Sequence, residues 1–234
     1  YSDPVAGTAG YALFLDGSYG VISPEACNRN DDFVHPCMEV AGLSEFTVAA
    51  WVRPNSTGNM TLAEKPGEWR IDIIVGRSVR IRFPKSGFDE SLLFNGSASN
   101  WTHVAVTVNL LVLVLYENGI STGSISPSSY YNAASSGLPL YVGTSAIGLF
   151  NFSGAIDEFR IYERAISESE IVTAMKYPDP QVPDDLILRW NFDGMDATDS
   201  SGNFNDGTFT GALRWVPSTC GFGTRVVTNR NQDV

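Results

Sequence analysis

The side chains able to do chemistry are few, and their spacing limits that chemistry further. His35 and His103 are the only imidazoles in 234 residues. His35 lies between Val34 and Pro36 in a polar loop, where a surface residue is expected. No third group is predictable near either histidine to complete a nucleophile triad. Cys27 and Cys37 share the loop CNRNDDFVHPC, and Cys220 stands alone. No C-x-x-C pair or Cys/His cluster occurs, so the pattern does not suit zinc. A short-loop disulfide between Cys27 and Cys37 is the simplest reading, contributing on the order of 2–3 kcal/mol. Cys220 is then free or paired with another chain. Five Asn-x-Ser/Thr sequons, at Asn55, Asn59, Asn95, Asn100 and Asn151, compare with roughly 2.5 expected by chance from the composition. All fall at expected strand ends or loops. Sequons and cysteines together point to a secreted eukaryotic glycoprotein bearing N-linked glycans, at a cell surface or in an extracellular fibre. Trp51, Trp69, Trp101, Trp190 and Trp215 could stack on sugars, but four lie in strand-like runs and read as core. Tyr130 and Tyr131, in a serine-rich loop, are the better-exposed candidates for sugar contact.

The elements that must position these groups are β-strands. Short apolar runs separated by Gly, Pro, Asn and Ser give strands at 11–15, 46–53, 69–75, 79–83, 91–94, 101–108, 111–116, 138–142 and 155–162. In WTHVAVTV, Trp101, His103, Ala105 and Thr107 share one face, and Thr102, Val104, Val106 and Val108 the other. Asn118–Gly119 between two β runs signals a hairpin. One helix is expected, where Ser167 and Glu170 form a capping box and Ile166, Ile171 and Met175 a partial apolar stripe. Many strands with one short helix imply an all-β, two-sheet sandwich. Residues 124–137 are small and polar, and residues 176–185 (KYPDPQVPDD) read as a stiff linker.

Composition excludes several classes. The formal net charge is -11 and the pI about 4.5, so a phosphate backbone or an anionic membrane surface is repelled. Mean hydropathy is -0.04, and the longest apolar run, Leu110 to Leu115, falls far short of the roughly 18 residues a membrane helix needs. No targeting segment stands at Tyr1. Neither nucleic-acid binding nor membrane insertion is expected.

The ordered blocks ALFLDGSYGV (12–21), FTVAAWVRP (46–54), WTHVAVTV (101–108), YENG (116–119) and GAIDEFRIYERAISESEI (154–171) resemble laminin-G-like domains. These are pentraxin-like members of the concanavalin A-like jelly rolls. The resemblance covers about residues 8–177 and implies a jelly-roll fold more strongly than any one activity. One motif is out of family order. The usual opening strand, resembling LILRWNFD, here follows the last strand, at Leu186, Ile187, Leu188, Arg189, Trp190, Asn191, Phe192 and Asp193. The chain thus divides into a jelly roll over 1–177 lacking its first strand, a linker over 178–185, and a segment over 186–234 carrying that strand. A missing first strand leaves an open edge. It can be closed by the same chain, be explained by a truncated second repeat, or be filled by the next subunit in head-to-tail exchange.

The resemblance also bears on chemistry. It makes His103 a packed strand residue. Glucanases of this fold carry Glu-x-Asp-x-x-Glu on one strand, whereas Glu68 to Asp72 (EWRID) has other spacing, so no enzyme is expected. Related domains often bind calcium, and Asp16, Asp157, Asp193, Asp199, Asn205 and Asp206 are the oxygen donors in view. The same residues also suit Asx turns, so no ligand set is assigned and no cofactor is required. The expected function is a non-enzymatic extracellular structural glycoprotein, a homopolymer assembling into a fibre by strand complementation. The alternative is a monomeric lectin-like adhesion module with a glycan ligand, calcium-dependent in one version.

Overall fold

Every second residue of most strands is apolar, and that alternation decides which face turns inward. The computed structural model describes residues 10–24, 45–109, 111–126, 136–176, 183–211 and 213–218. In chain order the strands are β1 (Tyr11–Asp16), β2 (Gly20–Ile22), β3 (Phe46–Pro54), β4 (Asn59–Lys65), β5 (Trp69–Ile74), β6 (Ser78–Phe83), β7 (Phe88–Leu93) and β8 (Thr102–Val108). They continue with β9 (Leu113–Glu117), β10 (Ile120–Ile125), β11 (Tyr141–Val142) and β12 (Ser153–Tyr162). Helix α1 (Glu168–Lys176) precedes β13 (Leu186–Trp190), β14 (Thr208–Thr210) and β15 (Arg214–Pro217).

Two antiparallel sheets pack face to face as a jelly-roll sandwich. Sheet A runs β10-β9-β8-β3-β12-β1-β15, and sheet B runs β14-β2-β11-β4-β5-β6-β7. Val48, Ala50, Val52, Val104, Val106 and Ile156 from sheet A meet Leu62, Ile71, Ile73, Val79 and Ile81 from sheet B. Phe46 stacks on Trp69 at 5.7 Å, and Phe159 lies 6.0 Å from Trp190.

The displaced strand lies in its own chain. β1 pairs with the first half of β12 (Leu13 opposite Ile156), and β13 pairs with the second half (Ile161 opposite Leu188). The two therefore stand end to end along one edge of β12. Residues 177–182, including most of the proline-rich linker, lie outside the described residues.

Several strand bounds differ from the expected ones. β4 was not expected because Asn59–Lys65 carries a register shift between Thr61 and Ala63, which breaks its period of two. β7 begins earlier, at Phe88, because it pairs along the whole of β6. β11 is shorter, since Leu140 donates its N–H to Ser23 Oγ (2.9 Å) instead of to a neighbouring strand. β8 is buried on both faces, because α1 and its flanking residues cover the outside of sheet A: Ala49, Ala105, Tyr162, Ile166, Ile171 and Leu186 form a second cluster there.

Candidate functional site

The outer face of sheet B carries a grid of polar side chains fixed by strand register. One transverse row is Glu64, Arg70, Arg82 and Asp89; the next is Thr61, Asp72, Arg80 and Ser91. The intervening residues Ile71, Ile73, Val79 and Ile81 point into the core. Alternation alone therefore puts three arginines and their carboxylates on one surface.

The grid is built from charge-assisted hydrogen bonds. Asp72, fully buried, accepts from Arg70 Nε at 2.7 Å and Thr61 Oγ1 at 3.0 Å, and from Arg82. Arg70 also donates to Thr61 Oγ1 at 2.6 Å. Arg80 donates through Nε to Asp89 at 2.5 Å, and this hydrogen bond holds the Asp89 carboxyl below its usual range. The loop between β11 and β12 leans over the grid. Its Ala146 N–H reaches Glu64 Oε2 at 2.8 Å, and its Phe150 carbonyl accepts from the Thr61 N–H at 2.6 Å. The Phe150 ring, 52% exposed, sits 5.5 Å from the Arg70 guanidinium carbon. An exposed aromatic face thus stands beside forked donors and carboxylate acceptors. That combination can stack on an apolar sugar face while exchanging hydrogen bonds with hydroxyls.

A second ionic cluster lies on the outside of sheet A, at a bulge in β12 where Glu158 has φ 49°. Glu158 bridges Arg160 (2.8 Å) and Arg189 of β13 (2.9 Å). Burial opposes its ionisation, yet the two arginines hold its pKa below the usual value. Arg160 also donates to the Ala174 carbonyl near the end of α1 at 2.9 Å. The cluster ties β12, β13 and α1 together, and its groups already have one another as partners.

The residues singled out from the sequence fall as follows. His103 packs edge-on against Trp51 at 5.4 Å; burial, then Arg160, pushes its pKa down to about 3. A base so buried and so reluctant to accept a proton has no evident catalytic use. Trp51, Trp69 and Trp190 are buried, while Trp101 and Trp215 are half-buried. Asn55, Asn95 and Asn100 are exposed, and Asn59 and Asn151 half-buried. Strand directions place all five at one end of the sandwich, with the β3–β4, β7–β8 and β11–β12 connections. Close contacts agree: Asn55 N–H donates to the Ser153 carbonyl at 2.8 Å, and Ser99 N–H to the Pro54 carbonyl at 2.7 Å. Cys27, Cys37, Cys220, His35, Tyr130 and Tyr131 lie outside the described residues.

The oxygen donors in view from the sequence are engaged in local hydrogen bonds. Asp199 accepts from the Arg189, Ser201 and Asn205 N–H groups at 2.9–3.0 Å, and Asp206 accepts from the Asp199 N–H at 2.7 Å. Asn205 donates to the Ile187 carbonyl at 2.9 Å, Asp16 caps the Ser18 N–H at 3.0 Å, and Asp157 accepts from the Glu158 N–H at 2.8 Å. Among the described residues no three His, Cys, Asp or Glu side chains converge as a metal site. These acids fold turns, and the DSSGNFND stretch fastens β13. Sequence reading missed Arg70, Arg82 and Phe150. Alternation in RID and SVRIRF signalled outward arginines, but which rows they share depends on long-range pairing.

Among the described residues no helix is long and apolar enough to cross a membrane. No curated protein matches the chain. Solved structures do. A candidate carbohydrate binding protein from Bacteroides ovatus superposes with a TM-score of 0.71 at 18% identity, over 92% of this chain. The chain spans 61% of that protein's length. A heptameric SAP-like pentraxin from Limulus polyphemus gives 0.65 at 12% identity, over 91% of this chain and 98% of its own. Domain 4 of an extracellular arabinanase from Geobacillus stearothermophilus, in complex with arabinotriose, gives 0.54 at 20%, over 72% and 81%. At these identities the likeness is one of fold. A laminin-G family model, described as the concanavalin A-like lectin/glucanases superfamily, matches residues 28–172, and the chain belongs to that family.

Proposed function

We propose that the chain is a non-catalytic, extracellular carbohydrate-binding module of lectin type. The observation that carries this reading is the outer grid of sheet B with Phe150 at its margin: an exposed ring beside a register of donors and acceptors in which Thr61, Arg70 and Asp72 are buried and Arg80, Arg82 and Asp89 reach solvent. Such a surface binds through orientation and stacking, and needs no titrating group. The paired state of Asp72 and Asp89 supports a non-enzymatic role, because both carboxylates are engaged by arginines. The carbohydrate-binding description of the Bacteroides protein and the arabinotriose bound to the arabinanase domain fit the same reading. Five acceptor asparagines gathered at one end support an N-glycosylated, secreted chain whose glycans project from a single pole.

Head-to-tail assembly is a second reading. Its support is that β13 joins sheet A only through one half of β12's edge, after a proline-rich connection, so another chain could offer the same strand.

A glycan array probed with the wild-type chain and with Phe150→Ala and Arg82→Ala tests the primary reading. Binding to one glycan class, weakened about tenfold or more in each variant, is expected. Retention of no glycan by the folded wild-type chain, or equal retention by all three proteins, would sink it.

A further inference from the structure

Among the five acceptor asparagines, Asn55 has a cleft at its foot. Asn100 Nδ2 donates to Ser97 Oγ at 2.8 Å, Asn151 Oδ1 accepts from Thr144 Oγ1 at 2.6 Å, and Asn59 lies within β4 with its Oδ1 buried. Asn55 and Asn95 are exposed, and their side-chain amides bond to no described residue. Asn55 in addition forms one wall of a cleft of about 250 Å³, shared with Phe14, Arg53, Pro54 and Ser99.

Backbone pairing sets the walls of this cleft. Phe14 of β1 and Arg53 of β3 are both in register with Ala155 of β12, so they stand on one face of sheet A, two strands or about 10 Å apart. Asn55 N–H donates to the Ser153 carbonyl of β12 at 2.8 Å, and Ser99 N–H to the Pro54 carbonyl of β3 at 2.7 Å. Gly154 permits this closeness: its φ is 141°, and a Cβ there would meet the Arg53 carbonyl oxygen at 2.3 Å. The lining also has unused bonding capacity. Arg53 lies over the Trp101 ring at 5.1 Å and donates to no described residue. Stacking occupies the face of its guanidinium and leaves the edge N–H donors for a ligand. Phe14 is half-buried, and Ser99 is exposed with a hydroxyl that bonds to no described residue. A ring, a fork of donors and a hydroxyl suit one neutral sugar that carries an amide.

We propose that this cleft holds the first N-acetylglucosamine of a glycan attached to Asn55, its C–H face against Phe14 and its acetamido carbonyl accepting from Arg53. The proposal rests on the reading of the chain as secreted and N-glycosylated, and is independent of the sheet B surface. Attachment exchanges one hydrogen of Asn55 Nδ2 for the sugar's anomeric carbon, and the donor's lipid diphosphate leaves with the proton. Because the sugar is tethered at the wall, its effective concentration in the cleft is high, and contacts too weak to hold a free sugar hold this one. The docked ring shields Phe14 and gives the outer glycan a fixed direction.

The test uses the full chain, secreted from a glycosylating cell line and trimmed by an endoglycosidase to one N-acetylglucosamine at each occupied site. Peptide mass spectrometry should find Asn55 occupied. Asn55→Gln should lower the melting temperature by about 2–4 °C, the shift of one modest contact in a domain of this size, and Asn95→Gln should leave it unchanged. In the unglycosylated chain neither substitution should have an effect, which assigns the loss to the sugar. In a Phe14→Leu background the loss from Asn55→Gln should fall by half or more. A readout without substitution is the acetamido methyl signal of the isotope-labelled sugar, which should show nuclear Overhauser contacts to the Phe14 ring protons. An unmodified Asn55 in a chain modified elsewhere overturns the docking and leaves the glycoprotein reading standing. So does an occupied Asn55 with an unchanged melting point in Asn55→Gln and no contact to Phe14. A chain modified at no sequon overturns both.

Discussion

His103 sits inside β8 with its ring against Trp51 and the Arg160–Glu158 pair nearby, and that setting makes it an acid-sensitive point of the fold. Its folded pKa is about 3, against 6.5 for an unperturbed imidazole, because burial and Arg160 both disfavour the cation. Between those values the unfolded chain binds a proton that the folded chain refuses. The stability due to neutral His103 is therefore full above pH 6.5 and falls as the pH drops through that window, by about 1.4 kcal/mol per pH unit. Asp193 acts in the opposite sense: burial, then Glu158, raises its pKa to about 6, favouring the folded state as pH falls. Its side chain reaches the surface, so solvent screening makes it the weaker influence. Urea denaturation at pH 7 and pH 4.5 should show a marked loss of stability in the wild type and a smaller loss in His103→Gln. Equal losses in the two proteins would refute this account. The strand pattern already placed His103 on the face with Trp101 and Ala105. Its pKa could not be read there, because Arg160 and Glu158 are more than fifty residues away in sequence.

Among the elements, α1 shows how local code and long-range packing combine. Ser167 and Glu170 form the capping box foreseen from spacing: Ser167 N–H donates to Glu170 Oε2 at 2.7 Å, and Glu170 N–H to Ser167 Oγ at 3.4 Å. Arg164 and Ser167 hold the Glu170 carboxyl at about 2, so the box stays ionised across the physiological range. Capping was legible because its partners lie three residues apart; the helix's seat on sheet A was not. Ser167→Ala should cost about 1 kcal/mol and lower the melting temperature by about 2–4 °C. Calorimetry checks this, and an unchanged melting point would mean that packing of Ile171 alone fixes the helix. The same contrast separates β8, whose strict alternation announced it, from β4, whose bulge hid it. The sheet B grid belongs with β4: Arg70, Arg82 and Asp89 become neighbours only after three strands adopt their register.

At the scale of the whole molecule the informative feature is a first strand that arrives last. Leu188, Trp190 and Phe192 are fully buried, and Ile187 nearly so. Losing one such side chain costs about 2–5 kcal/mol, against a total stability of about 5–15 kcal/mol for a domain. Residues 1–185 alone should therefore fail to form a cooperative fold, as judged by near-UV circular dichroism. A peptide spanning residues 186–218 supplies β13, the Asp199 turn that fastens it, and β15, and should restore the signal when added. That complementation bears on assembly as well as stability, because a segment able to act when added separately can also be lent by a neighbouring chain. Closure within one chain predicts one constant mass by light scattering at every concentration, 25.4 kDa for the unglycosylated chain. Exchange through the same contact predicts masses that grow with concentration, and mixed oligomers once two differently tagged chains are unfolded and refolded together. A folded, stable fragment 1–185 would overturn the structural importance assigned to β13. A monomer that never mixes with its tagged counterpart would remove head-to-tail assembly and leave the proposed saccharide-binding surface of sheet B as the function to pursue.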